Sequence, residues 1–126
     1  MYDDSIKLIE MSEFNSISVC VYNENDGIFE FGERINERFE DAYMNGYNWE
    51  ALITFYVSNL DPELMKEVTT DPEAGMFSAY MGYNKDNYKD VLEKMKRFEA
   101  HLRQMLTDEN NLLEFIANNY EKIEWD

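Results

Sequence analysis

Tyr22 to Glu33 is the stretch whose residue types come nearest to a metal site. With Gly27 at the glycine position of a calcium-binding loop, Asp26 and Glu33 fall on ligand positions. The first ligand would then be Tyr22, where an aspartate is needed, and a strand precedes the stretch where such a loop has a helix. The stretch is therefore read as a solvated acidic loop, and no metal is assigned. His101 is the only histidine, so a multi-histidine zinc site is excluded. It sits between Phe98 and Leu102, beside an apolar helical stripe, and reads as a boundary residue that packs or faces water. Cys20, the only cysteine, lies on a half-buried strand and reads as a small packing residue. Carboxylates are too numerous for any one pair to mark hydrolytic chemistry. No glycine-rich phosphate loop, nucleophile-elbow serine or zinc spacing is present. The expectation is a protein with no catalytic residues and no cofactor, not an enzyme.

Charge points instead to a protein partner. The 126 residues hold 27 acidic and 11 basic side chains, a formal net charge of -16. That excludes a general nucleic-acid-binding role and argues against docking on an anionic membrane. A basic protein surface is the natural complement. Between Glu24 and Asp41, seven acids (Glu24, Asp26, Glu30, Glu33, Glu37, Glu40 and Asp41) face only Arg34 and Arg38. Glu30, Glu33, Glu37, Glu40 and Asp41 are the expected partner-binding acids. Tyr47 and Tyr83 join them, since both lie next to turns where their hydroxyls can reach a partner. Solubility alone would account for the same charge. Residues 85–106 carry six basic and four acidic side chains and read as a mixed solvent face. With one cysteine, no signal-peptide pattern and no apolar run near the roughly 20 residues of a membrane span, the expectation is a reduced, cytoplasmic protein. A monomer or weak homodimer is expected.

The elements that must position these residues follow from periodicity. Ile6 to Met11 and Ser16 to Tyr22 read as strands joined by a short link through Glu13, Phe14 and Asn15. The second strand alternates, with Ile17, Val19 and Val21 on one face and Ser18, Cys20 and Tyr22 on the other. Glu33 to Tyr43 reads as a helix on the stripe Ile35, Phe39, Ala42 and Tyr43. Asn45-Gly46 is its expected stop, with Gly46 left-handed. Asn48 is the expected N-cap of a helix carrying Trp49, Leu52, Ile53, Tyr56 and Leu60, ended by Asp61-Pro62. Val68 to Tyr80 reads as a hairpin whose turn uses Asp71 for a local N–H, Pro72 for its preset φ and Gly75 for a left-handed residue. Asp86 to Leu106 is the longest helix, and Thr107 or Asp108 caps a last one. Tyr43, Tyr47, Trp49, Phe77 and Tyr80 read as core rather than as a ligand pocket. Length and element order predict one α+β domain spanning residues 1–126: a mainly antiparallel sheet of about four strands, two hairpins, with helices packed on it.

Two motifs occur together in this frame. Gly46-Tyr47-Asn48-Trp49-Glu50 precedes Asp71-Pro72-Glu73-Ala74-Gly75-Met76-Phe77 by the spacing of a helix leading into a hairpin. With the strand start Tyr2 to Leu8, the combination resembles the immunity protein 51 family of bacterial polymorphic toxin systems. The resemblance implies a non-enzymatic protein that protects its producer by binding a cognate toxin domain and blocking it, in the cytoplasm, on an α+β fold. Gly46, Trp49, Asp71, Pro72, Gly75 and Phe77 are then expected to build the fold rather than the interface. The alternative is a small acidic adaptor or regulator that binds another cellular protein.

Overall fold

The computed structural model describes residues 2–126, except the side chain of Asp3. Four antiparallel strands, β1 (Ile6–Met11), β2 (Ser16–Val21), β3 (Thr69–Thr70) and β4 (Phe77–Gly82), form one sheet in the order β1-β2-β4-β3. The two hairpins thus share an edge, β2 pairing β4 with Val19 opposite Ala79. Asn15, at φ 49°, closes the β1–β2 link in the left-handed region that asparagine tolerates. The register agrees with the alternation expected in β2, although the whole strand is buried rather than half-buried. Ile17, Val19 and Val21 lie on the same face as Ile6, Phe77 and Ala79, and all are buried in the core. The opposite face carries exposed Lys7, Met11 and Tyr80, with Ser18 and Cys20 buried among their neighbours.

Helices α1 (Asp26–Arg38), α2 (Gly46–Leu60), α3 (Pro62–Glu67), α4 (Tyr88–Thr107) and α5 (Glu109–Asn119) complete the α+β architecture. The α4 stripe of Val91, Met95, Phe98, Leu102, Met105 and Leu106 is buried at helical spacing. The Asp108 side chain accepts the Asn111 N–H and caps α5. The C-terminal segment folds back: Ile123 is buried, and the Asp126 N–H donates to Asn48 Oδ1 at 2.6 Å.

Three local expectations are corrected. From Asp26 onward the acidic stretch is a helix rather than a loop, because Ile28, Phe31, Gly32 and Ile35 supply a buried stripe that begins about two turns earlier than the sequence indicates. Asp26 and Glu33 lie on that helix, which cannot wrap them around one ion. The helix ends at Arg38, where Asn36 Nδ2 bonds the Phe39 and Glu40 carbonyls and Phe39 leaves to stack on Tyr120. Glu40, Asp41 and Tyr43 are therefore outside it. In α2, Val57 is buried where Leu60 was expected, and Leu60 is exposed.

Neither motif glycine is left-handed. Gly46 is the first residue of α2, and a Cβ there would sit 1.7 Å from the Glu73 carbonyl oxygen. The helix cap is Asn45, whose Oδ1 accepts the Asn48 N–H at 3.0 Å. Asn48 is instead a buried hub, its Nδ2 donating to the Tyr43 carbonyl at 2.8 Å. The β3–β4 turn is tighter than expected, closing with Glu73 N–H to Met76 O at 2.7 Å. Asp71 serves through its backbone, which pairs with Ser78. Gly75 leaves room for the Glu24 carboxylate, which would lie 2.4 Å from a Cβ.

Lys94, Arg97, His101 and Arg103 of α4 are bound to the neighbouring elements. Asp61, between α2 and α3, accepts from Arg97 Nε at 2.7 Å and lies 3.0 Å from His101 Nε2. His101 and Arg97 hold the Asp61 carboxyl below the usual aspartate range. A depressed folded pKa means stability that is present above the ordinary value of about 4 and lost as pH falls through the folded one. The stability difference between the wild type and Asp61→Asn is therefore expected to be about 1 kcal/mol above pH ~5, since Arg97 is half exposed. It should shrink toward zero below pH ~4. Paired chemical denaturation across pH measures it, and a difference that stays constant into acid contradicts the assignment.

Candidate protein-binding surface

The acids expected to meet a partner separate into two groups. Glu30, Glu33 and Glu37 are exposed on α1. Among the described residues, neither Glu33 nor Glu37 has a cationic partner. The two arginines of the same helix turn elsewhere. Arg34 pairs with Glu109 on α5 at 2.7 Å and lies over Phe31, while Arg38 lies over Phe39. Among the described residues, Glu33 and Glu37 thus carry charge that no ion pair offsets.

Glu40 and Asp41 lie in the loop after α1, and Asp41 has a structural task. Tyr120 Oη donates to Asp41 Oδ2 at 2.8 Å and accepts the Asp41 N–H at 3.0 Å. This ties the loop to the C-terminal segment. Glu109 is also engaged, holding α1 and the N-terminal Tyr2 together. Burial by itself would raise its carboxyl, but the hydrogen bonds from Tyr2 and Arg34 outweigh that and hold it below the usual glutamate range. Burial and the same bond push the Tyr2 phenol up, so it stays a donor.

Tyr47 and Tyr83 are not brought together. Tyr47 is 41% exposed on the first turn of α2. It opens a separate groove of about 540 Å³ shared with Phe55, Lys122 and Trp125. Tyr83 follows β4, half-buried and edge-on to Tyr88 with ring centroids 4.9 Å apart. The length of β4, roughly 20 Å at the usual rise, separates it from the turn against which Gly46 packs. Of the aromatics expected in the core, Trp49 and Phe77 are fully buried, whereas Tyr43, Tyr47 and Tyr80 are exposed.

Sequence reasoning missed a second groove, of about 300 Å³, between α1 and the following segment. Phe29, Gly32, Glu33, Asn36 and Glu37 form one wall, and Tyr43 and Met44 the other. The signal was present as the spacing i, i+3, i+4, i+7, i+8 from Phe29. It was hidden because Gly27 and Gly32 read as loop residues. Gly32 in fact permits close packing, since a Cβ would lie 3.0 Å from Met44 Cβ. Cys20 is buried, which pushes its thiol up and disfavours the thiolate needed for nucleophilic chemistry. No helix of the described residues is long and apolar enough to cross a membrane.

No curated protein and no solved structure is matched by the chain. The family model described as Immunity protein 51 matches residues 6–121, which run from the first residue of β1 through α5. The chain therefore belongs to the Immunity protein 51 family.

Proposed function

We propose that this protein is a non-enzymatic immunity protein that binds a cognate bacterial toxin domain in the cytoplasm and neutralises it by stoichiometric occlusion. Its whole chain acts as one domain. The acidic side of α1, through Glu30, Glu33 and Glu37, meets a basic toxin surface such as the cleft of a nuclease. Glu40, Asp41 and Tyr47 border that contact, and Tyr83 contributes at most from a distant edge. The observation that carries the reading is the pair Glu33 and Glu37, exposed and without a cationic partner among the described residues, beside arginines that engage Glu109 and Phe39. Membership of an immunity family supplies the class of partner. A standard interface of about 1,600 Å² in total is within reach of a chain this size. Complementary charge sets association rate and partner choice, while desolvated anchors set affinity.

The test uses a toxin domain encoded next to this gene, where an immunity gene is expected to lie. Co-expression should yield a one-to-one complex and rescue growth. The triple variant Glu30→Lys, Glu33→Lys, Glu37→Lys is expected to weaken binding roughly tenfold or more near 0.15 M salt and to flatten its salt dependence. Surface plasmon resonance at several salt concentrations reads both. Unchanged affinity and salt slope would remove α1 from the interface. Failure of the wild type to bind or protect would remove the immunity reading.

A further inference from the structure

The geometry points to the groove between α1 and Tyr43–Met44 as an anchor site for an arginine side chain of the protein partner. This deepens the immunity reading and rests on it for the partner's identity; the preference for a guanidinium stands on the groove itself.

The groove has the size of one long side chain, about 300 Å³. Its walls are aromatic and its charge is of one sign. Phe29 is 46% and Tyr43 68% exposed, on opposite walls. An exposed aromatic by itself is ordinary; two that flank one cleft supply apolar area and π faces for a flat cation. Gly32 and Met44 meet within the lining. Because Gly32 has no side chain, Met44 closes against the helix and the space above stays free.

The polar groups divide the work. Asn36 Nδ2 is committed to the Phe39 and Glu40 carbonyls. Glu33 and Glu37, one helical turn apart, are the charged groups that line the groove, and both are acceptors only. Guanidinium fits this set better than ammonium. It stacks on aromatic faces, offers a planar fork to carboxylates and is more weakly hydrated. The arginine stem would lie along Phe29, Tyr43 and Met44, with its head between the two carboxylates. Charge complementarity selects this occupant: the protein carries a net charge of -16, and the arginines of α1 are held away from the groove.

The probe is the peptide acetyl-Gly-Gly-Arg-Arg-Gly-Gly-amide, titrated into ¹⁵N-labelled protein and followed by amide shifts. Twins carry citrulline or lysine in place of arginine. Expected are shifts focused on residues 29–37 and 43–44, a dissociation constant on the order of 1 mM, at least tenfold weaker binding of the citrulline twin, and intermediate binding of the lysine twin. Glu33→Gln with Glu37→Gln should abolish the focused shifts. Tyr43→Ala should weaken binding about threefold, with a far-UV spectrum confirming the fold. Glu93→Gln, exposed on α4, lies outside the groove and should bind as the wild type does.

Shifts spread over the acidic surface, or wild-type affinity in Tyr43→Ala, overturn the proposal. The same variants are then assayed against the toxin. Loss of peptide binding with full toxin affinity overturns the anchor and leaves immunity standing. Focused, arginine-selective peptide binding in a protein that binds no toxin supports the groove and overturns the immunity reading.

Discussion

Gly46→Ala is expected to destabilise the protein by roughly 3 kcal/mol, against the direction that helix propensity predicts. In an ordinary helix the change would gain up to about 1 kcal/mol. Here the new methyl would meet the Glu73 carbonyl oxygen at 1.7 Å and the Met76 carbonyl oxygen at 2.8 Å. Both are backbone atoms of a tight turn, so they cannot swing away as a side chain would. Relief requires α2 and the β3–β4 turn to part, which breaks the Gly46 N–H to Ala74 O bond of 2.8 Å. Overpacking of this kind costs about 1–3 kcal/mol, occasionally more, and the lost bond adds about 1. Two further glycines calibrate the argument. At Gly27 a Cβ would meet only Tyr2 ring atoms at 3.5 and 3.6 Å, so Gly27→Ala should gain about 0.5 kcal/mol. At Gly75 the obstacle is the exposed Glu24 carboxylate, which can rotate away, so Gly75→Ala should cost less than about 1 kcal/mol. Urea midpoints of the three variants decide it. A neutral or stabilising Gly46→Ala would mean that the close approach is absent in solution.

Trp49→Ala is expected to cost about 3–5 kcal/mol, the usual price of emptying a large buried site. Trp49 has no solvent exposure and belongs to the same core cluster as Val21, Phe77 and Leu102. Against a typical total of 5–15 kcal/mol, that leaves a protein on the edge of unfolding. Trp49→Phe should cost less than half as much. The indole Nε1 has no hydrogen-bond partner among the described residues, so phenylalanine removes a buried unsatisfied donor along with some volume. Equal costs for the two variants would imply a hidden partner for that nitrogen. In cells both effects should appear as lowered abundance, and hence as weakened protection, without any change at α1.

The two motifs of the sequence therefore act on each other. Gly46 and Trp49 open α2, and Glu73 to Met76 form the turn against which it rests. Asn23 and Glu24 reach the same turn from the β2–α1 loop, Asn23 Nδ2 bonding the Ala74 carbonyl at 3.2 Å. Conformational freedom was the expected reason for both glycines. Close approach is the reason the structure supplies, and no pattern in the sequence distinguishes the two.

The amino-acid sequence by itself determined the strands, the hairpins, the long α4 stripe and the α+β class. These rest on periodicity, which is local and survives in one dimension. It also determined the excess of negative charge and, through two motifs in order, the family. Tertiary structure decided what periodicity cannot carry. It moved the start of α1 about two turns earlier, since Gly27 and Gly32 are tolerated where Tyr2 and Met44 pack against them. It withdrew Arg34 and Arg38 from the acidic face by giving them Glu109 and Phe39, partners that are distant in sequence or outside the helix. It separated Tyr83 from Tyr47 by the length of a strand and brought Tyr43 and Phe29 to one groove. Charge counts are sums over the chain, whereas a binding surface depends on which charges remain unpaired after folding.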